Sequence, residues 1–364
     1  MTVESMRKNV AWMLTALLMV CSPMMTSCSK VGNVTVTPAP KQYFTLWNKC
    51  EALTALQEYV EDVTNPKSPN FIKVEDRIAA FDMDGTFLAE LNPSYFEYNM
   101  LEYRVLDDPD YRDKAPEDVR RAAQCIRDFV RNGTALPSGF ELIHARAAAK
   151  AYAGMTIAEF DAYVKAYAAL PANGFKGMTN GQGIYQPMLE VFEYLTANGF
   201  TIYAITGSDR FICRALVEPL GIAPNHVIGM DVGLKTSRQG EEASVTYTMG
   251  KDENLIRTDE LLIKNLKTNK VLQISREIGK VPVLSFGNSG GDSAMLNYSL
   301  GSSKYRSAAF MLIADDDQRD HANREKALKL GEQWRAAGYH VISMRHDFRT
   351  IYGDGVQMVP FSFK

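Results

Sequence analysis

An α/β fold built on a parallel sheet is what this sequence predicts. Three short apolar runs, at 78–81, 200–205 and 281–286, each end in a polar stretch that holds glycine. A strand covered on both faces reads as a continuous hydrophobic run, and ligands collect beyond the carboxyl ends of such strands. Between the first and second runs the apolar residues recur at helical spacing instead of alternating, which predicts an inserted helical domain. The chain has 364 residues, 46% hydrophobic and 23% charged, enough for a sizeable core divided between a main domain and an insertion. A net charge of −3, with no basic stripe interleaved with aromatics, gives no electrostatic case for nucleic acid.

Residues 1–28 read as a lipoprotein signal peptide. Arg7 and Lys8 precede an apolar run at 10–20 that is too short to span a bilayer. Met25-Thr26-Ser27-Cys28 then resembles a bacterial lipoprotein cleavage site, with Cys28 as the lipidated terminus. The expectation is export as an outer-membrane lipoprotein facing the periplasm, with soluble periplasmic or secreted protein as the alternative. Residues 29–41, rich in Val, Thr and Pro, read as a tether. Beyond Cys28 stand Cys50, Cys125 and Cys213, which cannot all pair and show no metal-ligand spacing, so they read as small buried hydrophobes. His144, His226, His321, His340 and His346 are scattered and read as surface or satisfied polar groups.

The run Ile78-Ala79-Ala80-Phe81 ends in Asp82-Met83-Asp84-Gly85-Thr86. As a bare turn, Asp and Gly only punctuate a strand. Two carboxylates one residue apart at a buried strand end, however, repel and are costly to desolvate, and a divalent cation is the simplest partner that offsets this. Helical periodicity follows at 116–130, 142–152 and 157–169, the last capped by Thr156. Tyr95, Phe96, Tyr98 and Tyr103 read first as packing, although such a cluster also suits a cationic leaving group. The run at 200–205 ends in Thr206-Gly207-Ser208 before a helix start at Asp209. A hydroxyl and free N–H groups there suit a phosphate oxygen, whereas Thr206 taken alone reads as an ordinary cap. Alternation across 227–248 around Arg238-Gln239-Gly240 predicts a hairpin. Lys270 opens a helix at 271–278 with Val271, Leu272, Ile274 and Ile278 on its apolar side. The run at 281–286 ends in Gly287-Asn288-Ser289-Gly290-Gly291-Asp292, and further core strands are expected at 308–313 and 340–344.

These motifs, in this order, resemble the haloacid dehalogenase (HAD) superfamily of phosphohydrolases, and Tyr185-Gln186-Pro187-Met188-Leu189-Glu190, Ala197-Asn198-Gly199-Phe200 and Phe286-Gly287-Asn288-Ser289 are similar to its secreted or periplasmic bacterial branch. The resemblance implies a Rossmann-like core at 42–90 and 183–364 with a mostly helical C1 cap inserted at 91–182. It implies Asp82 as nucleophile, Asp84 as general acid and base, and Thr206 and Lys270 as phosphate-holding groups. It further implies Mg²⁺ held by Asp82, the backbone carbonyl of Asp84, Asp292 and Asn288. Three departures stand out: Met83 replaces the branch's Asn, Thr206-Gly207-Ser208 replaces Ser-Gly-Gly, and Gly290 occupies a position that usually carries Asp. Lys267 is a rival for the lysine role. Asp84 separates this chain from P-type ATPases, which carry Thr there, and from haloalkanoate dehalogenases, which lack the second Asp. The activity implied is hydrolysis of a small phosphomonoester, with phosphocholine, phosphoserine and a broad range all open. The alternatives are an inactive lipoprotein that captures a phosphorylated ligand, or a phosphotransferase.

Overall fold

The computed structural model describes residues 41–90, 93–302 and 304–363. The signal and lipidation-site expectations, and the tether up to residue 40, lie outside the described residues. Within these residues the strands are β1 (Ile78–Phe81), β2 (Phe175–Lys176), β3 (Thr201–Asp209), β4 (Val227–Thr236), β5 (Leu255–Ile263), β6 (Leu284–Gly287), β7 (Ala308–Ile313), β8 (His340–Ser343) and β9 (Gln357–Met358). The helices are α1 (Glu51–Thr64), α2 (Phe96–Leu106), α3 (Glu117–Asn132), α4 (Phe140–Ala151), α5 (Ile157–Ala168), α6 (Gln186–Ala197), α7 (Arg210–Val217), α8 (Thr268–Glu277), α9 (Ser293–Leu300), α10 (Arg324–Ala336) and α11 (Met344–Asp347). None of the described helices is long and apolar enough to cross a membrane.

Seven strands form one sheet in the order β5-β4-β3-β1-β6-β7-β8, parallel throughout except for β5, which runs antiparallel to β4. The expected α/β architecture with a parallel sheet and a helical insertion is therefore present. The chain places β3 on one side of β1 and later returns to place β6 on the other, so a crevice opens where the winding reverses, beyond the carboxyl ends of these three strands. Register also aligns one face of the core: Phe81 lies opposite Phe286, and Phe286 opposite Phe310. Their rings stack with centroids 4.2 Å and 4.9 Å apart, and Phe192 of α6 meets Phe81 edge-on at 4.8 Å. Such pairs add to the stabilisation from area burial alone.

Helices α2 to α5 form the insertion, with α2 against α3 and α4, α4 against β5, and α5 against α7. Their ends follow local chemistry. Pro116 precedes α3, which stops at Gly133 in the left-handed region (φ 67°), and the Thr156 hydroxyl and Glu159 carboxylate form a reciprocal capping box at the start of α5.

Several sequence expectations are corrected. Strand β3 does not stop before Thr206-Gly207-Ser208 but continues through them to Asp209, because β4 still pairs there across an irregularity between Ile205 and Asp209. Strand β6 starts only at Leu284, since Pro282 has no N–H to give a ladder. Helix α8 starts at Thr268, upstream of Lys270. The hairpin pairs β4 with β5, not with 244–248: Val245 is 91% exposed, so that alternating stretch has no buried face, while β5 buries Arg257. Among the cysteines, Cys213 is buried as expected, whereas Cys50 and Cys125 are only partly so. Cys50 stands at the start of α1, where its thiol accepts from the Leu53 N–H at 3.4 Å.

Candidate active site

The loop after β1 is held by its backbone. The Asp82 N–H donates to Phe286 O at 3.0 Å, the Met83 carbonyl accepts from Thr86, Phe87 and Leu88, and Gly85 takes φ 79°. Met83 is fully buried, consistent with a middle side chain turned away from its two neighbours. The loop thereby delivers Asp82 and Asp84 to one wall of a cleft of about 510 Å³ beneath the inserted helices. Asp82, Asp84, Lys270, Asn288 and Asp292 all line this cleft, so five of the six residues singled out from the sequence converge there.

Lys270 is 1% exposed, and its Nζ lies 2.5 Å from Asp82 Oδ1 and 2.6 Å from Asp292 Oδ1. Burial works against the ammonium charge, but the Asp292 and Asp82 carboxylates outweigh it and hold the lysine above its ordinary pKa. The other oxygen of Asp292 accepts from the N–H groups of Asn288 (3.1 Å) and Ser289 (3.0 Å) and from the Ser289 hydroxyl (3.2 Å). Asp292 thus closes its own loop and presents Lys270 to Asp82. Lys267 also lines the cleft, but it precedes α8 at φ 53° with its N–H on Gly291 O, and the lysine that pairs with Asp82 is Lys270.

Asp84 Oδ2 accepts from the Ser208 hydroxyl at 2.7 Å, whereas its Oδ1 is buried without a hydrogen-bond partner among the described residues. Burial pushes the Asp84 carboxyl up to about 7, Ser208 opposing and Glu97 and Glu90 assisting. Burial and the nearby Asp292 raise Asp82 as well, against the pull of Lys270.

Thr206 is fully buried and lies outside the cleft lining; its Oγ1 accepts from the Ser208 N–H at 3.0 Å. Ser208, two residues on, is the hydroxyl of this stretch that lines the cleft, and sequence reasoning passed over it. It also missed Glu97 and Lys264. Glu97, in the first turn of α2, receives Lys264 Nζ at 2.7 Å and the Asp209 N–H at 3.1 Å, with His144 Nδ1 at 3.6 Å. Asp209 in turn binds Arg257 at 2.6 Å. An acid set inside the aromatic run Tyr95-Phe96-Glu97-Tyr98 was the one available signal, because a surface helix rarely surrounds a solvated carboxylate with rings. The cap wall adds Tyr95, Tyr98, Phe129 and Phe140.

The donor set suits a hard cation. Among the described residues no cluster of three or more His, Cys, Asp or Glu side chains is placed to hold a metal ion. What remains is two carboxylates, the Asp84 carbonyl and the Asn288 amide oxygen, an all-oxygen set of the kind that binds Mg²⁺ together with water and phosphate.

No family model and no curated protein matches this chain. Solved structures do. A conserved functionally unknown protein from Anaerococcus prevotii is similar over 85% of this chain and 98% of its own, at 14% identity and TM-score 0.51. A protein of unknown function from Bordetella pertussis is 16% identical over 73% of this chain and 97% of its own, with TM-score 0.45. A HAD family hydrolase from Salmonella enterica serovar Typhi is 15% identical over 75% of this chain and 68% of its own, with TM-score 0.39. The Anaerococcus likeness, extending over most of this chain and nearly all of the other, shows the fold: a Rossmann-like α/β core carrying a helical insertion.

Proposed function

We propose that this chain is a HAD-superfamily phosphatase that hydrolyses a small phosphomonoester through an aspartyl-phosphate intermediate. The observation that carries the reading is Lys270 Nζ lying between Asp82 and Asp292, with Asp84 in the same cleft. Phosphoryl transfer requires an in-line nucleophile, neutralised phosphate oxygens and a proton for the leaving oxygen.

Asp82 attacks phosphorus as the bond to the leaving oxygen breaks, and Asp84 gives its proton to that oxygen. A carboxyl pushed up to about 7 by burial still holds a proton near neutrality and can surrender it, which is the property a general acid needs. Water then attacks phosphorus while Asp84 takes its proton, and Asp82 departs as a carboxylate, so one hard displacement becomes two easier ones. Ser208 holds Asp84 in place, and Lys270 limits repulsion among the carboxylates while offering its charge to the phosphate. Oxygens of Asp82, Asp84, Asp292 and Asn288 would hold Mg²⁺, which when bound neutralises phosphate charge. A ligand-capture protein would have no use for Asp84 as an acid.

Asp82→Asn is expected to abolish Mg²⁺-dependent release of phosphate from a phosphomonoester panel, because an amide forms no acyl phosphate. Near-normal turnover by a preparation shown by mass spectrometry to be free of deamidation would refute the assignment.

Export and lipidation at Cys28 belong to the same reading and rest on Met25-Thr26-Ser27-Cys28 after the short apolar run. A diacylglycerol with an added N-acyl chain anchors stably where a single chain is marginal. Cys28→Ala should move the protein from the membrane to the soluble or uncleaved fraction, and an unchanged distribution would remove Cys28 as the anchor.

A further inference from the structure

Glu90 has no part in the chemistry described so far, yet it is tied to the cleft. Its Oε2 accepts from Asn288 Nδ2 at 2.6 Å, across 198 positions of sequence. The pair rests directly on the loop after β1: a Cβ on Gly85 would stand 1.8 Å from Asn288 Nδ2 and 2.5 Å from Glu90 Oε2. Gly85 therefore has a second reason to be glycine besides its φ of 79°. Tyr95, at the start of the cap, also hydrogen bonds to Glu90.

This contact fixes a chemical question. An Asn amide has one end that donates and one that accepts, and an ionised carboxylate only accepts. The NH₂ end of Asn288 faces Glu90 in the structure, and although burial raises the Glu90 carboxyl, Tyr95, Lys326 and Asn288 itself favour its ionised form. Asn288 lines the cleft and Glu90 does not, so the amide oxygen is the end left for the cleft. Without Glu90 the amide has no reason to prefer that orientation over its flip, which would aim N–H groups at a cation.

We propose that Glu90 is a positioning residue for a divalent cation: it locks the Asn288 oxygen toward the ion and supplies, one residue further out, the negative charge that the ligand set lacks at Gly290. The inference rests on the reading of the cleft as a Mg²⁺ site. It also accounts for how a neutral amide serves there. A carboxylate hydrogen-bonded to a ligand raises that ligand's electron donation and fixes its direction, and losing such a partner costs about 10–100-fold in metal affinity.

The test is Mn²⁺ binding to the purified chain without substrate, read by electron paramagnetic resonance, with thermal unfolding followed on each variant. Glu90→Gln should weaken Mn²⁺ at least about tenfold while leaving the unfolding midpoint near wild type, because glutamine offers an N–H that invites the Asn288 flip. Asn288→Asp in the wild-type background should bring no tighter binding, since two carboxylates would then face each other. Combining Glu90→Gln with Asn288→Asp should restore affinity, since the glutamine amide can donate to the new carboxylate. Unchanged affinity in Glu90→Gln, or clearly tighter binding by Asn288→Asp alone, would overturn the proposal; the second arm does so even if the Glu90 variant folds poorly. Wild-type protein that binds no Mn²⁺, or binds it equally after Asp82→Ala, would overturn the cation site itself and this inference with it.

Discussion

In the proposed chemistry most turns on Asp84, which is buried, carries one oxygen without a partner among the described residues, and is addressed by a single hydroxyl from Ser208. If it is the general acid, Asp84→Asn should slow an alkyl phosphate, whose leaving oxygen is strongly basic, far more than an aryl phosphate, which departs without help. Positioned acids contribute typically ~10²–10⁴-fold, so the ratio of kcat values for the two substrate types should widen by a sizeable part of that range. Equal losses would remove Asp84 from the role. Asp292 is a different case. Its carboxylate is one of two partners of buried Lys270, and removing one partner of a buried ion pair costs about 3–5 kcal/mol. Asp292→Ala should therefore lower stability in urea titration as well as raise the Mg²⁺ needed for half-maximal activity, and a variant of wild-type stability would show that Asp82 alone satisfies the lysine. At this scale the sequence is readable where a residue belongs to a motif. Asp82, Asp84, Lys270 and Asp292 stand at strand or helix ends in an order that resembles known motifs, whereas Ser208, Glu97 and Lys264 line the cleft, and Glu90 touches its wall through Asn288, only through tertiary folding.

Strands and helices are legible wherever burial is continuous and obscured wherever a single residue or a distant partner decides the boundary. Ala308–Ile313 reads as a strand and is one, because all six of its residues are buried. Pro282 shortens β6, and the hairpin is misplaced by pattern alone because alternation at 244–248 has the right period but no core to face. The contact that matters most to the site, that of α2 with the residues just beyond β5, is marked in the sequence only by the acid inside the aromatic run at 95–98, and nothing local marks its partner Lys264. Glu97 and Lys264 are both buried there; burial works against the Glu97 charge, but Lys264 and His144 outweigh it and hold the carboxyl below its ordinary pKa. Lys264→Met should leave a buried carboxylate without its cation and destabilise the chain by about 3–5 kcal/mol, while adding Glu97→Gln should recover much of that loss. Calorimetry on the two single variants and the double variant would show the coupling. Additive losses would mean that the pair does not join the cap helix to the sheet.

On the scale of the whole molecule, the fold places its carboxylates where charge is expensive, and this gives its stability a direction in pH. Burial raises Asp84 to about 7 and Asp320 to about 7, and it raises Asp82 as well. A carboxyl whose folded pKa lies above its unfolded value contributes stability that is complete at low pH and is lost as pH rises through the folded pKa. His144 has the opposite sign: burial lowers it to about 4, so its contribution is present above pH 6.5 and fades as pH falls toward 4. Between about pH 5 and 8 these raised carboxyls, joined by Glu90, which burial also raises, outweigh His144 and the less buried His226 and His340, which burial lowers too. Metal-free protein should thus unfold at a lower temperature at about pH 8 than at about pH 5. Mg²⁺ should restore the loss mainly at the alkaline end, where the cleft carboxylates are ionised and ready to bind it. Asp320→Asn, outside the cleft lining, should flatten part of the slope with or without the ion, since an amide cannot ionise. Differential scanning calorimetry in chelator and in Mg²⁺ across this range decides the matter: a midpoint that climbs steadily with pH in chelator would mean that these carboxyls are ionised in the folded chain and that something other than a cation already balances them.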